Sequence, residues 1–179
     1  GNHGLGATGN ASFGYFGGGK NSSVPAIYST VERIDYGNDT ATAAVKGPLS
    51  GATYYVTATG NQSFGYFGGG IVVSSVSTVD RVDYSNDTVT AVAKGPLSVA
   101  YSSLAATGNS SFGYFAGSVP SSHVDRVDYS NDTATAVQKG SLSNGKSNMG
   151  ATGDASFGYF AGGEPGSYST VQRVDYSND

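Results

Sequence analysis

The sequence predicts an all-β repeat fold, and three observations carry that prediction. The phrase Ser-Phe-Gly-Tyr-Phe begins at Ser12, Ser63, Ser111 and Ser156. Each copy is followed by Val-(Glu, Asp or Gln)-Arg-(Ile or Val)-Asp-Tyr, whose arginines Arg33, Arg81, Arg126 and Arg173 recur at 48, 45 and 47 residues. A period of roughly 20 to 50 residues marks an architecture in which one supersecondary unit is copied and each copy buries its apolar face against the next. The third observation is composition: 28 glycines, sparse charge at 12% and many Ser, Thr and Asn indicate short strands joined by frequent turns. Thirteen tyrosines and eight phenylalanines recur at fixed positions, which a disordered tract would not require.

The elements follow in order along the second copy. Ala52 to Gly60 is rich in β-branched and aromatic residues and reads as a strand, and Asn61-Gln62-Ser63 reads as a tight turn. Phe64 to Gly70 reads as a second strand, with Phe64 and Tyr66 on one face and Gly65 and Phe67 on the other; its glycines sit where another backbone must come close. After a loop of variable length, Ser77 to Tyr84 reads as a third strand. Ser85-Asn86-Asp87 supplies turn chemistry, and Thr88 to Lys94 reads as a fourth strand that stops at the breaker Gly95-Pro96. The Phe that closes each phrase (Phe16, Phe67, Phe115, Phe160) has glycine close by on both sides and is expected to be buried between units.

Four strands in about 47 residues is the arithmetic of a propeller blade. A strand ending in a Gly doublet, a variable loop, Ser-x-Val-(Glu/Asp)-Arg-x-Asp, a short turn and a further strand resembles the kelch repeat, and the likeness runs through all 179 residues. Two departures stand out. The Trp of the kelch fourth strand is replaced by Thr-Ala-Thr-Ala or Thr-Val-Thr-Ala, and the third copy changes its Gly doublet to Ala116-Gly117. The wording Phe-Gly-Tyr-Phe and Asp-Tyr-Ser-Asn-Asp-Thr is most similar to highly repetitive kelch-like proteins associated with viruses of marine microbes and with environmental sequences. The resemblance implies blades at about 4–46, 52–94, 99–139 and 147–179, the last lacking its outer strand, in what is expected to be part of a larger ring. The chain opens at Gly1 without an initiator Met, so an excised part of something longer is expected, continued or covered by other chains past Asp179.

Composition excludes several function classes. A net charge of −4 leaves no clustered cations for a nucleic acid. With no cysteine there are no disulfides or thiolate metal sites, and the copper-radical chemistry that some kelch-like rings carry needs a thioether this chain cannot make. No apolar run approaches the ~18 residues of a membrane span, and no signal peptide is legible.

Catalysis requires a few differentiated groups that converge. Here the charges are copies. Eleven of the thirteen acids fall in three columns: Glu32, Asp80, Asp125; Asp35, Asp83, Asp128, Asp175; and Asp39, Asp87, Asp132, Asp179. Lys46, Lys94 and Lys139 share one phrase, while His3 and His123 occupy non-equivalent places. No catalytic, cofactor or metal residue is therefore assigned. Arg33, Asp35, Arg81, Asp83, Arg126, Asp128, Arg173 and Asp175 read as a ladder in which Arg and Asp on one face pair with each other or with the next unit; the competing reading is an Arg ring that captures carboxylate or phosphate. Asp-Tyr-Ser-Asn-Asp-Thr has oxygen ligands but lacks the calcium-loop pattern, and a hairpin turn accounts for it. The Asn-x-Ser/Thr sites at Asn10, Asn21, Asn38, Asn61, Asn86, Asn109 and Asn131 read first as turns. Recognition is expected in the variable loops, at Tyr28, His123, Glu164 and Tyr168. The expected function is non-enzymatic: a structural and interaction protein that associates with itself, with other chains or with the rest of a longer one, virion-associated or extracellular. A glycan-binding module is the alternative.

Overall fold

A computed structural model describes every residue except Pro25, Ser167 and Tyr168. The chain is all-β, built of small antiparallel sheets. The first sheet runs Gly6–Gly9, Phe13–Gly17, Val31–Asp35 and Ala44–Lys46 in sequence order. The second runs Thr57–Gly60, Phe64–Gly68, Val79–Asp83 and Val92–Ala93, and the third Ala105–Gly108, Phe112–Ala116, His123–Asp128 and Val137–Ser141. The fourth has three strands, Gly150–Gly153, Phe157–Ala161 and Val171–Asp175. Register is the same in all four: Tyr15, Tyr66, Tyr114 and Tyr159 each pair with the Arg of the next strand. Successive sheets pack face to face, and the first strand of each lies beside the first strand of the next.

Strand alternation gives each sheet two different faces. On the second strand of the second unit, Phe64 and Tyr66 point toward the third unit, while Gly65 and Phe67 point back toward the first. The backward Phe67 packs over Gly17 and Gly6, and Phe115 over Gly68. A Cβ on Gly65 would sit 2.7 Å from both the Tyr84 hydroxyl and the Thr8 methyl, so glycine here lets the Tyr84 ring lie flat across the strand. Three core clusters result, each spanning two successive units.

The structure corrects several expectations. The third strand stops at Asp83, because Tyr84–Asn86 winds into a short 3₁₀ turn, as do Tyr36–Asn38 and Tyr129–Asn131. The fourth strand of that unit is only Val92–Ala93, since the turn consumes the residues before it. The first strand begins at Thr57; before it, Tyr54 bridges Ile71. In unit one the variable loop is itself structured: Lys20–Asn21 and Ala26–Ile27 form a small sheet with Asn2–His3. The left-handed pair that ends each second strand is Gly69 and Gly70 (φ +69° and +105°), and in the third unit it falls on Gly117 and Ser118, one residue past the Ala116-Gly117 dipeptide.

Phe67, Phe115 and Phe160 are buried as expected, but Phe16 is 37% exposed. Phe67, Phe115 and Phe160 each cover the unit before their own, whereas Phe16 packs on no other described unit. Phe115→Ala is therefore expected to cost about 3 to 5 kcal/mol, the usual loss for deleting a buried aromatic. Phe16→Ala is expected to cost under about 1 kcal/mol. Urea unfolding monitored by tyrosine fluorescence measures both, and equal losses at the two positions would contradict the directional packing.

Candidate functional site

The polar residues that the repeat singles out meet at the junctions between units. At the end of the turn in the second, third and fourth units stands an aspartate (Asp87, Asp132 and Asp179) that reaches into the preceding unit. Asp87 receives the Arg33 guanidinium at 2.7 Å, the Lys46 ammonium at 3.2 Å and the Tyr15 hydroxyl at 2.9 Å. Asp132 receives Arg81, Lys94 and Tyr66 at 2.7, 3.2 and 3.0 Å, and Asp179 receives Arg126, Lys139 and Tyr114 at 2.9, 3.5 and 2.7 Å. Above each ion cluster two tyrosine rings stack across the junction: Tyr15 on Tyr84, Tyr66 on Tyr129 and Tyr114 on Tyr176, with centroids 4.4 to 4.5 Å apart. Each Arg also lies over a Phe of its own sheet, Arg33 on Phe13 at 4.2 Å and Arg81 on Phe64 at 4.3 Å. That stacking holds the guanidinium in place before any carboxylate arrives.

Each column of acids has its own task. Asp83 and Asp128 do not pair with the Arg two residues away; their carboxylates accept from the backbone N–H and hydroxyl of Ser85 and Ser130 and cap the turn, and Asp35 and Asp175 cap theirs through Gly37 and Ser177. The ladder therefore divides: Arg33, Arg81 and Arg126 bind the next unit's Asp87, Asp132 and Asp179, Arg173 lies over Phe157, and the ladder's own acids stay local. Asp80 and Asp125 grip the linker, accepting from the N–H and hydroxyl of Ser50 and Ser98 at 2.7 to 2.8 Å, beside the buried Leu49 and Leu97. In the fourth unit Gln172 accepts from the Ser143 N–H. Gly47 and Gly95 donate to the carbonyls of Asp87 and Asp132, and a Cβ on Gly95 would run into the Ala134 carbonyl.

On the rim, Asn10, Asn61 and Asn109 accept two backbone N–H groups within their own turn and donate across the junction to the carbonyls of Gln62, Ser110 and Ala155. These three amides are engaged in packing, which favours the turn reading of those sequons. Between the same rims lie two open clefts of about 400 and 380 Å³ at equivalent positions, the first lined by Asn10, Phe13, Phe64 and Asp83, the second by Asn61, Phe112 and Asp128.

The variable-loop candidates are not brought together. Tyr28 ties the chain by backbone bonds to Gly19 and Thr53. The His123 ring meets the Tyr101 hydroxyl at 3.0 Å, Glu164 is exposed and bridges Ser147 through its backbone, and Tyr168 lies outside the described residues. Sequence reasoning missed the junction tyrosines and lysines. Their signal was present in the register: Tyr, Arg and the turn Asp recur once per unit, and Lys recurs in the first three. Comparison of the sequence with protein-family models and with curated proteins gives no match.

Electrostatics follow from burial. Desolvation opposes ionisation of Asp87, but hydrogen bonds from Tyr15 and Lys46 and the charge of Arg33 outweigh it and hold the carboxyl below its ordinary value. Asp132 and Asp179 shift the same way for the same reasons. Burial, and then the bond to Asp87, push the Tyr15 hydroxyl up to about 12. Two pH limits follow. The aspartates stabilise the fold above their unfolded value near 3.8 and lose that contribution as pH falls below it. Tyr15 contributes fully below 10.0 and loses that contribution as pH rises through about 12, and Tyr66 and Tyr114, raised by the same causes, act in the same sense. Asp80, raised by burial, acts in the opposite sense at the acid end and offsets part of the loss. The urea midpoint is expected to be level between about pH 5 and 9 and to fall on both sides, and a continued rise below pH 4 would contradict it.

Removing one partner strands the others. Asp132→Ala leaves Arg81 and Lys94 facing each other in a partly buried junction and is expected to cost about 3 to 5 kcal/mol. Asp39→Ala, at the exposed equivalent position, is expected to change stability by less than about 0.5 kcal/mol. Chemical denaturation of the two variants checks the contrast.

Proposed function

We propose that this chain is a kelch-like propeller segment acting as a non-enzymatic structural protein, whose work is to hold protein units together in a virion or extracellular assembly. The observation that carries the reading is the junction itself: one cluster of Asp, Arg, Lys and Tyr, repeated three times, takes six of the chain's nine basic residues. Every described group whose titration is displaced belongs to a junction, grips a linker or caps a turn. An active site would displace differentiated groups in one cleft instead. The adjacent first strands, with the sheets face to face, favour rotation about a common axis over a straight stack. An electron-microscopy or crystal structure tests this: units related by near-equal rotations support it, and a steady rise along an axis overturns it.

The two rim clefts favour a second reading, a glycan-binding module, because each combines a Phe face with Asn, Asp and Ser groups suited to sugar hydroxyls. Saturation-transfer NMR against a glycan panel separates the readings. Transfer that is lost in Phe64→Ala and Phe112→Ala favours sugar binding, and its absence across the panel leaves assembly.

A further inference from the structure

One linker position is filled differently at the three junctions. Gly19, Gly70 and Ser118 donate in the same way to the carbonyls of Thr53, Tyr101 and Lys146, which places these three residues at equivalent points of their linkers. Their neighbours across the junction match as well: the carbonyls of Thr78, His123 and Thr170 each accept from the glycine that follows the second strand (Gly69, Gly117 and Gly162). At the second junction the Tyr101 hydroxyl reaches the His123 ring at 3.0 Å. At the third the Lys146 ammonium, on a side chain only 1% exposed, donates to the Thr170 hydroxyl at 2.6 Å. Thr53 is too short to do either. Its hydroxyl turns to the Ile71 carbonyl at 3.4 Å, and a cavity of about 60 Å³ is lined by Thr53 and Thr78 together.

The walls of that cavity carry two kinds of group. Leu49, Val56 and Phe67, all buried, form an apolar side, and Thr78 and Asp80 form a polar one. Asp80 is 5% exposed, and its two oxygens accept from the Ser50 N–H at 2.8 Å and the Ser50 hydroxyl at 2.7 Å. A carboxylate oxygen accepts more than one hydrogen bond, so both keep capacity for a further donor. Burial holds this carboxyl above its ordinary value, with only the two bonds from Ser50 opposing the shift. In the fourth unit the same column holds the neutral Gln172, so there Lys146 brings the charge itself.

We propose that the first junction binds a short primary alkylammonium ion, carried by a free amine, in the place that Lys146 fills at the third. The ammonium donates to the Thr78 hydroxyl, as Lys146 does to Thr170, and pairs with Asp80. The alkyl stem lies against Leu49, Val56 and Phe67. Size separates an amine from a phenol that would copy Tyr101: a benzene ring takes a cavity of roughly 150 Å³, and this one is less than half of that. Charge separates an amine from an alcohol, because a buried carboxylate in the wall favours a cation. Entry is provided at Gly51, which stands where Val99 and Asn144 stand in the other linkers and where a Cβ would meet nothing within 4 Å. Bound there, the amine ties the first linker to the second unit, a tie that the other two junctions make with their own side chains. The site lies within the chain and does not depend on the assembly reading or on the rim clefts.

Titration of the whole chain with n-butylamine near neutral pH, followed by proton–nitrogen correlation NMR, tests it. The amine is expected to shift the backbone signals of Ser50, Thr53, Thr78 and Asp80 saturably and to raise the urea midpoint as the site fills. n-Butanol, the same shape without the charge, is expected to bind at least about tenfold more weakly. Asp80→Asn, which keeps an acceptor for Ser50, is expected to weaken amine binding by about the same factor. Thr53→Lys places the lysine of the third junction in the cavity and is expected to abolish binding. Circular dichroism confirms that each variant is folded, and if Thr53→Lys does not fold, Asp80→Asn and the alcohol decide. Nα-Acetyl-lysine amide is expected to bind more weakly than butylamine; equal or tighter binding would overturn the free amine as the source in favour of a lysine side chain of another protein. Shifts that do not saturate or that spread over the surface, butanol or p-cresol binding as tightly as the amine, or Asp80→Asn or Thr53→Lys binding like the wild type would each overturn the proposal.

Discussion

A nearly buried aspartate at each of the three junctions is the constraint on which the rest of the structure depends. Asp87, Asp132 and Asp179 each belong to one unit and are satisfied by the unit before it. Ionised carboxylates at 7 to 8% exposure are costly to desolvate, and two cations with a phenol offset that cost only if the two sheets are in correct register. The ion cluster therefore contributes specificity more than net stability. Hydrophobic contact would tolerate a sliding of one sheet over the next, but a carboxylate displaced from its arginine would not.

The aromatic layer works with that constraint. Tyr15, Tyr66 and Tyr114 are fully buried, each with its ring stacked on the following unit's tyrosine and its hydroxyl on the same unit's aspartate. One side chain thus joins apolar packing to the polar lock. The glycine before it serves the opposite face, where the unit's own Tyr must lie flat against the strand to reach backward. Removing Cβ at Gly14, Gly65, Gly113 and Gly158 is what makes the unit thin enough for two tyrosine layers.

Because each lock joins only neighbours, the stability of the array is expected to be a sum of unit and junction terms, as in other repeat proteins. The junctions also give it a direction. At each of the three, the later unit supplies the acid and the earlier unit the two cations.

The repeat, the all-β class, the two-faced second strand and the turn chemistry were legible in the sequence, because each depends on local periodicity and on residue types with strong backbone preferences. So was the sorting of acids into three columns, which the period alone reveals. Their tasks were not legible. Asp83 and Asp87 are four residues apart in one phrase, yet one caps its own turn and the other crosses to Arg33, a residue 54 positions earlier. The exposure of Phe16 beside the burial of its three copies likewise depends on which face the neighbouring unit covers. Strand alternation determined from sequence which residues share a face, while only the packing of one sheet on the next decided what that face meets, because the partners lie a full repeat away and no local preference encodes them.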